Sequence, residues 1–184
     1  VKQLRFAVGD VVVLSGLPGS GKSTLITQSV AALDEAGRTV KRVDSHEVRR
    51  RWEQRLPAWV PYAVYRPGVR IAHYLRLGRA LRSGGSVVVH DCGSHGWVRR
   101  WAAWTRRNGS GRVHLVVLDV APEHAAEGQV SRGRTVSRRA FVRHRHAIEQ
   151  LLSRLESGRL PEGCASIVLL DRRSASGLHA IDFD

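Results

Sequence analysis

Two cysteines, three lysines and no extended apolar run set the first limits on this 184-residue chain. Cys92 and Cys164 stand far apart and form no C-x-x-C or Cys/His cluster. The sequence therefore carries neither a disulfide framework nor zinc-ligand spacing, and both residues read as buried thiols. The longest apolar runs are a few residues, far short of the ~18 that a membrane span needs. No basic, apolar, small-residue pattern of a signal peptide is present near the start. The expectation is a cytoplasmic protein with no membrane partner. Lysine is confined to Lys2, Lys22 and Lys41, yet Lys and Arg total 30 against 16 acidic residues, a formal charge of +14 carried almost wholly by arginine. That balance attracts polyanions, including nucleic acid and nucleotides. Arginine in place of lysine is also what a GC-rich genome produces, and composition alone does not separate the two readings.

What is present suffices for one core. A hydrophobic content of 42% over 184 residues predicts a single domain spanning residues 1–184. Short β-branched runs at Val11 to Ser15, Thr39 to Val43, Ser86 to His90, Val113 to Leu118 and Ser166 to Leu170 alternate with longer helical patterns. The continuously apolar third, fourth and fifth runs suit strands covered on both faces. The fold class is therefore α/β, a three-layer α/β/α arrangement around a five-stranded, mostly parallel sheet. Helices are expected from Lys22 to Ala36 with a stop at Gly37, from Pro61 to about Gly84-Gly85, up to Asn108-Gly109, from Pro122, and from an N-cap at Ser137 to about Glu156.

The strongest motif is Gly16-Leu17-Pro18-Gly19-Ser20-Gly21-Lys22-Ser23, a G-x-x-x-x-G-K-S pattern. It begins where the first strand ends and runs straight into a helix, the context that a phosphate-binding P-loop requires. Gly16, Gly19 and Gly21 let the loop turn its amides toward an anion, with Pro18 and Ser20 between them. The helix start adds free N–H groups and a positive dipole end, and Lys22 reaches the β- and γ-phosphates. Ser23 is the candidate Mg²⁺ ligand and Thr24 lies beside it. Apolar strands end in an aspartate at Asp91, Asp119 and Asp171 alike. Asp91, closing Val87-Val88-Val89-His90, is favoured to organise magnesium and substrate, and a simple loop cap is its alternative.

With Lys22, Asp44, Asp91 and Arg132-Gly133-Arg134 in view, the chain resembles the small P-loop kinases grouped with zeta toxins, polynucleotide kinases and gluconate kinases, in order along nearly its whole length. The resemblance implies an ATP-binding, Mg²⁺-dependent kinase, with GTP as the alternative nucleotide, that moves the γ-phosphate to a hydroxyl of a small-molecule or nucleoside-like acceptor. The other readings are a polynucleotide 5′-hydroxyl kinase and a nucleic-acid-stimulated ATPase or switch with no phosphoryl acceptor.

Carried over by position, Asp44 looks like the general base and Arg49 like the residue that holds the acceptor. Polynucleotide kinases place paired aspartates followed two residues later by arginine. A shifted alignment puts His46 and Glu47 there, so the base is Asp44 or Glu47. Asp44 also suits an N-cap for a helix starting near Ser45. Arg132 and Arg134 fall in a segment similar to the family's lid, about residues 128–139, with Arg138 and Arg139 as further candidates. Arg172, in Asp171-Arg172-Arg173-Ser174, falls where related kinases place a loop beside the nucleotide base.

An insertion at about residues 52–85 frames the acceptor side. There Arg66, Arg70 and His73 share one helix face, and Ile71, Leu75 and Gly78 another. A cationic face with aromatics suits single-stranded nucleic acid or a phosphorylated small molecule, and is equally an ordinary wet face. Trp97, Trp101 and Trp104 share a face whose expected use is core packing. Oligomeric state is not legible.

Overall fold

Val11-Val12-Val13-Leu14 sends alternate side chains into two separate apolar layers, and the rest of the chain is arranged around that strand. The computed structural model describes residues 2–90, 96–109, 111–130 and 137–184. In chain order the elements are β1 (Gln3–Phe6), β2 (Val11–Gly16), α1 (Lys22–Ser29), β3 (Lys41–Val43), α2 (Ser45–Glu53), α3 (Tyr62–Arg82) and β4 (Val87–His90). Then follow α4 (Gly96–Arg106), β5 (Val113–Asp119), α5 (Pro122–Val130), α6 (Arg138–Glu156), β6 (Ser166–Asp171), α7 (Arg172–Ser176) and β7 (Ala180–Phe183).

Five of the strands form one all-parallel sheet in the order β3-β4-β2-β5-β6. Val11 and Val13 pack with Leu77, Leu81, Val98, Ala102, Ile148 and Leu151, so α3, α4 and α6 cover one face. Val12 and Leu14 pack on the other side with Leu25, Ile26, Leu178, Ile181 and Phe183. Val11 to Leu14 are wholly buried. Burial on both faces is why these strands read as unbroken apolar runs rather than as alternating ones.

The five expected strands and the α/β class stand, and the second layer is richer than expected. β1 and β7 pair in parallel as a separate two-stranded ribbon, Gln3 opposite Ala180 and Phe6 opposite Phe183. This ribbon shortens the first helix, which was expected to reach Ala36 and ends at Ser29. Val30 is extended and bridges to Ile181, while the Ala31 and Glu35 amides donate to the Ile181 and Phe183 carbonyls. Backbone pairing to β7 takes the place of two further helical turns, and Gly37 closes a turn on Asp34 instead of a helix.

The helices at Tyr62–Arg82 and Arg138–Glu156 match their expected ends, with the Ser137 side chain accepting from the Ala140 amide at 3.3 Å. Two packing expectations change. Trp101 lies over Gly78 and the core, but Trp97 and Trp104 are 39% and 65% exposed. Cys164 is half-buried rather than enclosed, and burial still pushes its thiol pKa up. Cys92 lies outside the described residues. No helix among the described residues is long and apolar enough to cross a membrane.

Candidate active site

The sheet delivers the phosphate loop at the C-terminal end of its central strand. Gly16 pairs in register with Leu118 of β5, and the chain then turns through residues 17–21 into α1. Gly19 has φ +90°, and a Cβ there would stand 2.0 Å from the Ala125 carbonyl oxygen, so only glycine fits. Gly21 caps α1 with a left-handed backbone and no side-chain hydrogen bond, which leaves the first amides of α1 for an anion.

Lys22 is 3% exposed, and its Nζ donates to the Gly16 carbonyl at 2.8 Å, the Leu17 carbonyl at 2.7 Å and the Ser20 hydroxyl at 3.4 Å. The ammonium is thus held inside the loop before any phosphate arrives. From the far side, Gln129 Nε2 donates to the Pro18 carbonyl at 3.2 Å, and Gly128 lies against the Gly19 backbone. The end of α5 therefore clasps the loop. Gly16, Pro18, Gly19, Ser20, Gly21, Lys22, Ser23 and Thr24 all sit at this one strand-to-helix junction.

Asp44 reaches the same place by sheet register. Val43 pairs with Val89, so the next residues, Asp44 and His90, leave β3 and β4 side by side. His90 Nδ1 lies 2.9 Å from Asp44 Oδ1, and since a carboxylate only accepts, the imidazole donates. The His46 amide donates to the same oxygen at 2.8 Å, making Asp44 the N-cap of α2. The Ser23 hydroxyl lies on the same side and also favours the charged carboxylate. Burial alone raises the pKa of Asp44. The His90 bond and charge, the His46 amide and the Ser23 hydroxyl outweigh it and hold the carboxyl well below the usual range.

Behind this pair lies His73 of α3, 8% exposed, with its Nδ1 buried and unbonded. Burial, then the charge of His90, push its pKa down to about 4 against the pull of Asp44, with a further push from Arg76.

Beyond Ser23 and Asp44 opens a cleft of about 1070 Å³ along the free edge of β3, bounded by α1, α2 and α3. Glu47 lines it and is held by Arg76 at 2.9 Å and Arg51 at 2.7 Å. Arg49 takes another face of α2. Its guanidinium lies 3.8 Å from the Tyr62 ring centroid and pairs with Glu53 at 2.7 Å, so Arg50, Arg76 and Arg79 line the cleft in its place.

Asp91, Arg132 and Arg134 lie outside the described residues. Arg138 and Arg139 open α6 exposed. Asp119 and Asp171 end neighbouring strands in register, and Asp171 caps α7 through the Ser174 amide at 2.6 Å. Arg172 begins α7 and is exposed.

Mg²⁺ held with a nucleotide takes most of its ligands from phosphate and water and needs only one or two protein oxygens. The Ser23 hydroxyl, which lines the cleft beside Asp44, supplies one such oxygen. Among the described residues no group of three or more His, Cys, Asp or Glu could hold a metal unaided. Sequence reasoning missed His90, Gly128 and Gln129, and placed His73 on a face with Arg66 and Arg70, whereas His73 is buried and those arginines are exposed. His90 was in view only as a strand residue, and the β3–β4 register that makes it a partner has no local signal.

A profile of the AAA_33 family, described as an AAA domain, matches residues 11–157. No curated protein matches the chain. Among solved structures, a candidate kinase from Chloroflexus aurantiacus j-10-fl superposes with a TM-score of 0.56 at 16% identity, over 88% of this chain and 84% of its own. A chain from the PezAT chromosomal toxin-antitoxin system of Streptococcus pneumoniae gives 0.59 at 14% identity, over 95% and 69%. A gluconokinase from Sinorhizobium meliloti 1021 gives 0.50 at 18% identity, over 93% and 92%. These relatives fall in the group the sequence resembles, and at such identities they carry the fold.

Proposed function

The chain belongs to the AAA_33 family of AAA domains, and on that footing we propose that it is a Mg²⁺-dependent P-loop kinase that moves the γ-phosphate of ATP to a hydroxyl acceptor. The domain is single, with residues 52–85 as its acceptor side. The observation that carries the reading is the pairing of a phosphate loop whose lysine is already in place with a buried, ionised carboxylate. Lys22 is poised on the loop carbonyls, and Asp44 and Ser23 line the same cleft.

Each residue has a job that its surroundings suit. Amides of residues 19–23 and Lys22 hold the phosphates and meet charge that develops on the transferring group. Ser23 would hold Mg²⁺, joined by Asp91; when bound, the ion would neutralise phosphate charge. Arg132 and Arg134 would bring further positive charge on closure.

Asp44 receives the acceptor. Both its cap bond and its His90 bond fall on Oδ1, so neither claims Oδ2. A carboxylate with so low a pKa is a weak base, which suits a loose transition state. It orients the hydroxyl through a hydrogen bond and takes the proton late. Glu47, held by two arginines, is less available for that work.

Asp44→Asn tests this cleanly, because the amide oxygen can keep the cap and the His90 bond while the amide nitrogen replaces the basic oxygen. Nucleotide affinity is expected to stay within a few-fold while transfer falls by at least ~10². Full activity in Asp44→Asn with a dead Glu47→Gln would move the base to Glu47. Product analysis with γ-labelled ATP separates the readings. Label goes to a small molecule, to an oligonucleotide 5′-hydroxyl, or only to free phosphate, the last marking an ATPase or switch.

A further inference from the structure

The cleft beside Asp44 carries more positive charge than its own carboxylates neutralise. Five of its lining residues are positive, Lys41, Arg42, Arg50, Arg76 and Arg79, against two carboxylates, Asp44 and Glu47. Two of the five are engaged, since Arg42 donates to the Val30 carbonyl and Arg76 pairs with Glu47. The side chains of Lys41, Arg50 and Arg79 make no hydrogen bond or ion pair with the described residues. They come from three different elements, β3, α2 and α3, yet face one cavity. Glu47 cannot serve as their common counter-ion, because Arg51 and Arg76 already hold both its oxygens.

Resting on the phosphotransfer reading above, we propose that the acceptor is a small hydroxyl compound bearing an anionic group, a phosphate or carboxylate. Arg50, Arg79 and Lys41 bind that group while its hydroxyl meets Asp44. Positive charge brought from several elements to one open cleft favours an anion that can reach more than one of them, and guanidinium groups match phosphate and carboxylate in paired hydrogen bonds. The same geometry disfavours a polynucleotide track. Arg76 and Arg79 line the cleft, but Arg66 and Arg70, two to three turns earlier on α3, do not. The arginines of α3 thus form no continuous path into the site.

The nucleotide's own phosphates have separate holders, Lys22 and the loop amides, which lets the two anion sites be measured apart. With the phosphate loop filled by Mg²⁺ and a non-hydrolysable ATP analogue, calorimetric titration of inorganic sulfate should show a second site in the wild type. In Arg50→Gln/Arg79→Gln its Kd should rise at least ~10-fold, about 1.4 kcal/mol, while the affinity for the analogue stays within two-fold. Arg66→Gln/Arg70→Gln, with the same charge change, should leave the site unaltered. No sulfate binding in the filled wild type, or equal losses in both double variants, would overturn the assignment.

A second arm compares acceptors in matched pairs, a nucleoside with its 3′-phosphate and a sugar with its phosphate, beside a single-stranded oligonucleotide. The anionic member should be turned over at least ~10-fold better in kcat/KM, and the advantage should vanish in Arg50→Gln/Arg79→Gln. Equal turnover of neutral members, or turnover of the oligonucleotide alone, refutes the small anionic acceptor. Failure to bind the ATP analogue at all would instead sink the kinase reading, and is read independently of the sulfate site.

Discussion

Gly128 offers the most direct test of how the phosphate loop is held. A Cβ at this position of α5 would lie 2.4 Å from the Gly19 carbonyl oxygen and 3.3 Å from the Gly19 carbonyl carbon, both backbone atoms that cannot swing aside. Ordinary contact begins at 3.4 Å, so Gly128→Ala must separate α5 and the loop by about 1 Å. Overpacking of that kind costs about 1–3 kcal/mol, and the better helix propensity of alanine returns about 1 kcal/mol, so the net stability change is small.

The effect on binding is larger. Loop amides must lie about 2.7–3.2 Å from a phosphate oxygen, and charge-assisted bonds are worth ~1.5–3 kcal/mol each. A shift of about 1 Å that removes one of them lowers nucleotide affinity by roughly 10- to 10²-fold. Titration of a fluorescent ATP analogue measures the affinity, and thermal melting measures the fold. Ala126→Gly, on the exposed side of the same helix, is the control: it should lose about 1 kcal/mol of stability and no affinity. A Gly128→Ala protein that binds nucleotide as the wild type does would refute the claim that α5 sets the loop.

Lys22→Ala should leave the fold intact yet lower phosphoryl transfer by at least ~10², since a preorganised cation facing developing charge is typically worth ~3 kcal/mol; steady-state assay beside thermal melting separates the two. His73 gives a pH dependence. The unfolded chain binds this proton below the ordinary histidine value of 6.5 and the native protein only below about 4, so stability falls as pH drops through that window. The loss is at most about 3 kcal/mol. Urea titrations at pH 7 and pH 4.5 should show it in the wild type and not in His73→Leu, and an unchanged difference in the variant would exclude His73 as its source.

The parts of this protein that were legible in its sequence are those whose cause is local. The phosphate loop announces itself because glycine, lysine and serine must stand at fixed spacing between a strand and a helix. Pro61 and Ser137 announce helix starts because proline and serine act there through their own backbone and side chain. The ribbon of Gln3–Phe6 with Ala180–Phe183 was invisible because each half is an ordinary short run that becomes a strand only by meeting the other from the opposite end of the chain. The early end of α1 followed from that same unseen partner. Arg49 was expected at the acceptor by alignment, but a helix turns 100° per residue. The neighbouring Arg50 faces the cleft while Arg49 faces Tyr62.

The two readings left open for Asp44, helix cap and catalytic carboxylate, turn out to be compatible for a structural reason. A cap requires one oxygen fixed over the first amides of α2, and the His46 amide at 2.8 Å supplies that contact on Oδ1. A catalytic carboxylate requires the group to be ionised and to hold still, and the cap provides both, since an accepted backbone bond favours the charged form and freezes the rotamer. His90 adds a second restraint on the same oxygen because parallel register places it one residue beyond Val89, level with Asp44. The fold thus spends one oxygen of the carboxylate on its own architecture. Ser23, at the start of α1, lines the same cleft and adds to the preference for the charged form. β3, α2 and the loop therefore meet at one side chain, which is why a three-residue edge strand can aim the group on which the proposed chemistry turns.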